Sequence, residues 1–157
     1  MRRDYFTLEV ENVRWVDEDD TPAKPTVRID FEGPASSLRQ RLSGSEDDLL
    51  EAAETDVAYR LQAGIDDSDA TGVVSITNRV TGDYVLELNQ EAEDVIQFIR
   101  AAREYGKASA DDDGHYRVIL LIDDENVVTY DKSTFLVYDR DGNLLRQHSL
   151  IPSGVEL

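Results

Sequence analysis

The chain contains no cysteine. That absence excludes disulfides, thiol nucleophiles, iron–sulfur clusters and thiolate zinc sites together. Lysine is scarce as well, with 3 residues against 13 arginines, and there are only two histidines, His115 and His148. No apolar run approaches the about 18 residues of a membrane span, so no membrane association is expected. The segment "MRRDYFTLEV" is basic for two residues and then alternates like a strand. It lacks the apolar core of about 7–15 residues that a signal peptide requires, and a cytoplasmic location is the expectation. Catalytic and phosphate-binding signatures are missing too: there is no G-x-S-x-G, H-E-x-x-H or G-x-G-x-x-G. Lys-Ser-Thr within "YDKSTF" follows Asp131 where a P-loop needs glycine.

Acid is what the chain has in abundance. Asp and Glu number 34 against 16 basic residues, giving a formal net charge of −18 over 157 residues. The acids are spread along the chain rather than massed in a tail. Self-repulsion at this charge destabilises a compact state in dilute buffer. At molar salt the Debye length falls to about 3 Å and that repulsion is screened. A scattered acidic surface with little lysine is therefore read as adaptation to a salty cytosol. Direct nucleic-acid binding, which needs a basic face, is not expected.

The length suits one globular domain, 1–157. Phe6, Leu8 and Val10 alternate, and the pattern resumes one register later at Val13 and Trp15, which predicts a strand with a bulge at Glu11–Asn12. Residues 26–33 form a clean strand pattern with Val27, Ile29 and Phe31 on one face. A weak, broken helix is expected over 34–54, with Pro34 in its first turn, an interruption at Gly44 and a new N-cap at Ser45. Residues 55–62 fit helical steps of four as well as strand alternation, and their helix propensity is mediocre; strand is favoured. "VVSITNRVTGDYVLELN" (73–89) predicts a hairpin turning near Gly82, with Tyr84, Leu86 and Leu88 on one face. Asn89 then caps a strong helix over 90–105, striped by Val95, Phe98, Ile99, Ala102 and Tyr105 and ended by Gly106. "HYRVILLI" (115–122) suits a central strand, and "NVVTY", "TFLVY" and "LLRQHSLI" follow as further strands. The expected fold class is α+β: a mostly antiparallel sheet with one strong and one broken helix packed on it.

Candidate sites are few. Asp111, Asp113 and His115 alternate and could face one way, yet they occupy a glycine-containing loop with no second histidine nearby. Acids at the ends of a buried strand are explained by solvation alone, and Asp123, Asp124 and Glu125 mark the other end of the same strand. "DRDGN" (139–143) cannot be registered on a calcium loop and reads as a tight turn. His148 reads as a structural or edge histidine, with Ser149 on the opposite face. Asp30 and Glu87 are the nearest approach to catalytic acids, but both alternate with core positions and should face solvent. No catalytic residue, metal ligand or cofactor is therefore nominated. Arginines beside aromatics recur in strands, at Arg14–Trp15, Tyr59–Arg60 and Tyr116–Arg117. They would pair with acids on an exposed face or anchor an anionic partner. The C-terminus keeps Leu150, Ile151, Val155 and Leu157 apolar across Pro152 and Gly154, which marks them as interaction residues, for the chain's own fold or for a protein partner or second copy.

The segments "TVRIDFEGP", "TDVAYRLQ", "VSITNRVTGDYVLELN" and "TFLVYDRDGNLLRQHSLIPSGVEL" resemble a family of small acidic proteins of unknown function from haloarchaea, from about Tyr5 to Leu157. The resemblance implies a salt-adapted, cytoplasmic single domain and brings no activity or site residue. The leading functional expectation is a non-enzymatic interaction or scaffold domain. A small-molecule-binding or regulatory domain comes second, and a carboxylate-dependent hydrolase third. The charge carries a prediction of its own. The fold should loosen in dilute buffer and be regained cooperatively toward molar KCl. Circular dichroism across a salt titration checks it, and an unchanged spectrum and melting point in dilute buffer refute it.

Overall fold

The computed structural model of the chain describes residues 5–18, 20–44, 48–64, 69–108 and 114–151. In chain order the elements are β1 (Phe6–Glu11), α1 (Trp15–Glu18), β2 (Thr26–Phe31), α2 (Ala35–Leu42), β3 (Thr55–Leu61), β4 (Thr71–Asn78), β5 (Tyr84–Glu91), α3 (Ala92–Ala108), β6 (Tyr116–Ile122), β7 (Glu125–Lys132) and β8 (Leu136–Tyr138). Short 3-10 turns stand at Ala52–Glu54 and Arg146–His148.

The strands form two sheets, in the orders β1-β2-β6-β7 and β5-β4-β3-β8, which corrects the expectation of one sheet under two helices. Nor is either sheet purely antiparallel: β2 runs parallel to β6, and β3 parallel to β8. The physical reason is area. α2 has 8 residues and α3 has 17, too little helix to cover one face of eight strands. Both sheets instead share one core with α2 and α3.

Alternation sorts the two faces over most of the strands. In the first sheet the pairs Val27–Val118, Ile29–Leu120 and Phe31–Ile122 are all buried. In the second, Val57 pairs with Ile76 and Tyr59 with Val74, again buried. One continuous core joins these residues to Leu38 and Leu42 of α2 and to Val95, Phe98, Ile99 and Ala102 of α3. Phe98 meets Tyr116 edge-on at a centroid distance of 5.5 Å, and Tyr116 lies 5.8 Å from Phe135. Such ring pairs add about 0.5–1.5 kcal/mol each beyond the area they bury.

Several boundaries differ from the sequence expectation. β1 stops at Glu11 because Asn12 takes a left-handed φ of 65°, so Val13 and Trp15 leave the sheet and no bulge forms. The indole N–H of Trp15 donates to the Asn12 carbonyl at 2.6 Å and fixes the turn. The broken helix keeps only its first piece. Residues 48–51 are non-helical, Leu49 forming a bridge to Ser43, while the expected cap Ser45 lies outside the described residues. Strand β5 runs directly into α3, so Asn89 is a strand residue rather than a cap. Gly106 does not end α3, which continues to Ala108. "LLRQHSLI" is not a strand: it touches β8 through a Leu144–Tyr138 bridge, makes a 3-10 turn, and returns to pair Leu150 with Phe135. Asp123 and Asp124, with φ of 50° and 67°, form the tight turn between β6 and β7.

One cation joins the two sheets. Lys132, at the end of β7, is only 8% exposed, and its ammonium donates to the carbonyls of Ala52 and Thr55 at 2.7 Å each. Burial pulls its pKa below the ordinary lysine range, with Arg79 adding to the effect and Asp56 opposing it. Lys132→Met, which keeps the stem and deletes the charge, removes the ammonium donor from the buried Thr55 carbonyl and from the Ala52 carbonyl, which keeps the Thr55 hydroxyl. It should cost about 1–3 kcal/mol, read as a lower urea midpoint in molar KCl. An unchanged midpoint would mean that the ammonium does not hold the sheets together.

Candidate functional site

The site begins with one extra residue in β5. The ladder between β4 and β5 shifts between Ile76 and Thr77, pairing Leu86 with Ile76 but Tyr84 with Thr77. Val85 is the extra residue of the bulge and is buried, 1% exposed. A bulge reverses the parity of the strand beyond it. Leu86 and Leu88 point into the core as expected, whereas Tyr84 is turned outward and is 53% exposed. The expectation that all three share a face is corrected by that shift.

Tyr84 stands between two concavities. On one side a cleft of ≈ 870 Å³ separates α2 from the β4–β5 hairpin, lined among others by Tyr5, Arg41, Asn78, Asp83, Tyr84 and Glu87. On the other, a hollow of ≈ 450 Å³ lies on the outer face of the second sheet, lined by residues including Arg60, Val73, Ser75, Tyr84, Glu87 and Arg140. Tyr84 and Glu87 belong to both, so the two form one groove.

The groove's walls are tied down. Arg41 donates from its guanidinium to the Tyr84 carbonyl at 3.4 Å, joining α2 to β5. Arg60 donates to the Arg140 carbonyl at 2.9 Å, joining β3 to the loop after β8. The Asn78 side-chain oxygen accepts from the Val80 and Thr81 backbone N–H groups at 2.9 and 3.3 Å. Arg79 pairs with Asp56 at 2.6 Å, anchoring the base of the hairpin to β3. At the hairpin's tip Val80 is 76% exposed. Three arginines against two carboxylates make the lining locally cationic, in a chain whose formal net charge is −18.

The residues singled out in the sequence are scattered. Leu150 is buried, 3% exposed, and exchanges both backbone hydrogen bonds with Phe135 at 3.0 and 2.8 Å. Ile151 is half-buried. Val155 and Leu157, like Asp111 and Asp113, lie outside the described residues. Among the described residues no His, Asp and Glu side chains gather in a group of three able to hold a metal ion. His148 sits half-buried in a 3-10 turn. Asp30 and Glu87 face outward from different sheets, so they do not pair with each other; Asp30 accepts from the Asp124 backbone N–H at 3.2 Å. Of the arginine–aromatic pairs, Arg117 is matched to Asp131 at 3.0 Å, whereas Arg60 reaches only a carbonyl.

His115 has a packing role. Its imidazole lies against α3 where Gly106 leaves room, since a Cβ at Gly106 would stand 2.8 Å from three ring atoms. Burial, followed by the nearby Lys24, holds the imidazole pKa below its usual range. This contact explains the glycine inside α3.

The whole chain, residues 1–157, matches the model of a family of unknown function, DUF5793, and the protein belongs to that family. No curated protein and no solved structure matches it. No helix among the described residues is long and apolar enough to cross a membrane.

The Gly106–His115 contact makes a prediction with a sign reversal. Gly→Ala in a helix interior ordinarily stabilises by about 0.5–1 kcal/mol. Here Gly106→Ala should destabilise by about 1–2 kcal/mol through overpacking. In a His115→Ala background the same change should become stabilising. Chemical denaturation of the four proteins measures both, and a stabilising Gly106→Ala in the native background contradicts the packing account.

Proposed function

We propose that this protein is a non-enzymatic protein-interaction domain adapted to a salty cytosol, and that the groove around Tyr84 is its recognition surface. The observation that carries the reading is the coincidence, on one preformed groove, of an exposed tyrosine with three arginines in a strongly acidic chain. Tyrosine and arginine are the side chains in which protein interfaces are enriched, and a preformed surface lowers the entropy cost of binding. The salt adaptation is supported by where the lysines sit. The Lys24 side chain is 12% exposed and holds Asp131 at 2.9 Å, and Lys132 is buried. Only the Lys107 side chain, 68% exposed, stands well out in solvent.

A small-molecule site is the second reading, because the cleft's ≈ 870 Å³ falls within the usual range of ligand pockets. Its lining of tyrosine, serine, amide and charged groups favours a polypeptide over a compact apolar ligand.

The test replaces Tyr84 with the photo-crosslinker benzoylphenylalanine in cells grown in molar KCl, with the same replacement at Glu93, exposed on α3, as control. A discrete protein adduct at position 84 that is absent at position 93 is expected. No adduct at 84, or the same adducts at both positions, overturns the proposal.

A further inference from the structure

Resting on that reading, we infer that the groove takes an extended acidic polypeptide segment, with its carboxylates received by Arg60, Arg140 and Arg41. The argument is one of charge placement. Elsewhere four arginines are matched by the chain's own acids, Arg28 with Glu11 at 3.8 Å, Arg79 with Asp56 at 2.6 Å, Arg100 with Asp17 at 2.6 Å and Arg117 with Asp131 at 3.0 Å, while Arg103 on α3 is spent on the Ser149 carbonyl at 2.9 Å. Among the described residues Arg41, Arg60 and Arg140 form no ion pair. Arg41 and Arg60 donate instead to backbone carbonyls, those of Tyr84 and Arg140. In a chain with 34 acids and 16 basic residues an unmatched guanidinium is unremarkable singly. Three around one groove, beside an exposed tyrosine, make a receptor for carboxylates.

The Arg60–Arg140 bond brings the two arginines to one end of the groove, and Arg41 stands across Tyr84 on the α2 side. A chain lying in both hollows would pass over Tyr84. It would place one carboxylate at the Arg60–Arg140 end and another at Arg41, with an apolar or aromatic side chain against the tyrosine between them. Glu87 and Asp83 also line the groove, so a uniformly anionic ligand is disfavoured and spaced carboxylates are preferred. A nucleic-acid backbone, with a charge at every residue, meets these two carboxylates and an acidic shell, whereas phosphate binding calls for a continuous basic face. Guanidinium and carboxylate match in planar geometry, so contact pairs can form where long-range attraction is already screened by salt.

The experiment uses the full chain in molar KCl and a fluorescein-labelled peptide in which glutamate alternates with valine and tyrosine. Fluorescence anisotropy should show saturable binding. The double substitution Arg60→Gln and Arg140→Gln should weaken it by roughly ten-fold or more, with the circular dichroism spectrum of the folded protein retained. The same peptide with glutamine or lysine in place of glutamate should bind at least about ten-fold more weakly. Equal or tighter binding of the glutamine or lysine peptide overturns the inference. So does indifference to the double substitution, or displacement of the peptide by inorganic phosphate or by duplex DNA. A specific adduct at position 84 without binding of the acidic peptide defeats the acidic assignment and leaves the interaction reading standing. Absence of both defeats the two together.

Discussion

The ammonium of Lys132 is the constraint on which the rest of the architecture depends. It belongs to an edge strand of one sheet, and the two carbonyls it reaches belong to the turn that starts β3 in the other. A buried cation is costly unless its donors are satisfied. In a chain with this many carboxylates the obvious partner would be an acid, yet two main-chain oxygens fill the role. The choice has a structural consequence. A carboxylate on a side chain can move to follow the ammonium, whereas the carbonyls of Ala52 and Thr55 are fixed by the local backbone. The Thr55 hydroxyl donates to the Ala52 carbonyl at 2.9 Å, so both acceptors sit in one bonded turn. The tether therefore sets where β3 begins relative to β7, and β3 in turn templates β4 on one side and β8 on the other.

From β3 the influence reaches the groove. Arg60 points outward because Tyr59 and Leu61 point in, and its parity is settled by the same alternation that buries the core. Tyr84 is outward for a different reason, the bulge at Val85. Without it, alternation would send Tyr84 toward the core with Leu86 and leave Val85 in solvent. The bulge thus performs two tasks with one residue: it adds a buried valine and releases a tyrosine to the surface. Bulges are favoured where a side chain must be re-aimed. The exposed tyrosine and the adjacent arginines are consequently products of backbone register, and no property of their immediate sequence neighbours announces them.

That distinction explains what could be read in advance. The strands of the β4–β5 hairpin, the helical stripe of α3 and the interior strand β6 are written in local periodicity, apart from the outward turn of Tyr84; for β3 the periodicity fits helix as well as strand, and mediocre helix propensity decides for strand. Pairing between distant strands is not local. Nothing in the residues of β2 or β6 states that they run side by side in parallel, and so the division into two sheets was not legible. The same holds at smaller scale. Gly106 has the look of a helix terminator, but its meaning comes from His115, nine positions away in sequence and pressed against the helix in space. Asn12 resembles part of a bulged strand until its left-handed backbone ends β1. For the candidate site, Arg60 was visible as an arginine in a strand beside an aromatic. Its convergence with Arg140, Arg41 and an inverted Tyr84 depends on α2, the loop after β8 and the bulge coming together.

The charge distribution connects these observations. A uniformly acidic surface repels acidic partners at low salt and becomes nearly indifferent to charge at high salt, because screening removes interactions beyond a few ångströms. Under such screening, specificity must come from groups that touch. Most described sheet arginines are already engaged with the protein's own acids, and two of the three lysines are withdrawn from the surface. For the cations that remain, position matters more than number. A groove that gathers several of them around an aromatic side chain is then the surface best equipped for selective contact. On the proposed reading, the net charge that dominates the composition governs where the fold is stable, while a handful of residues opposing that charge governs what the fold can recognise.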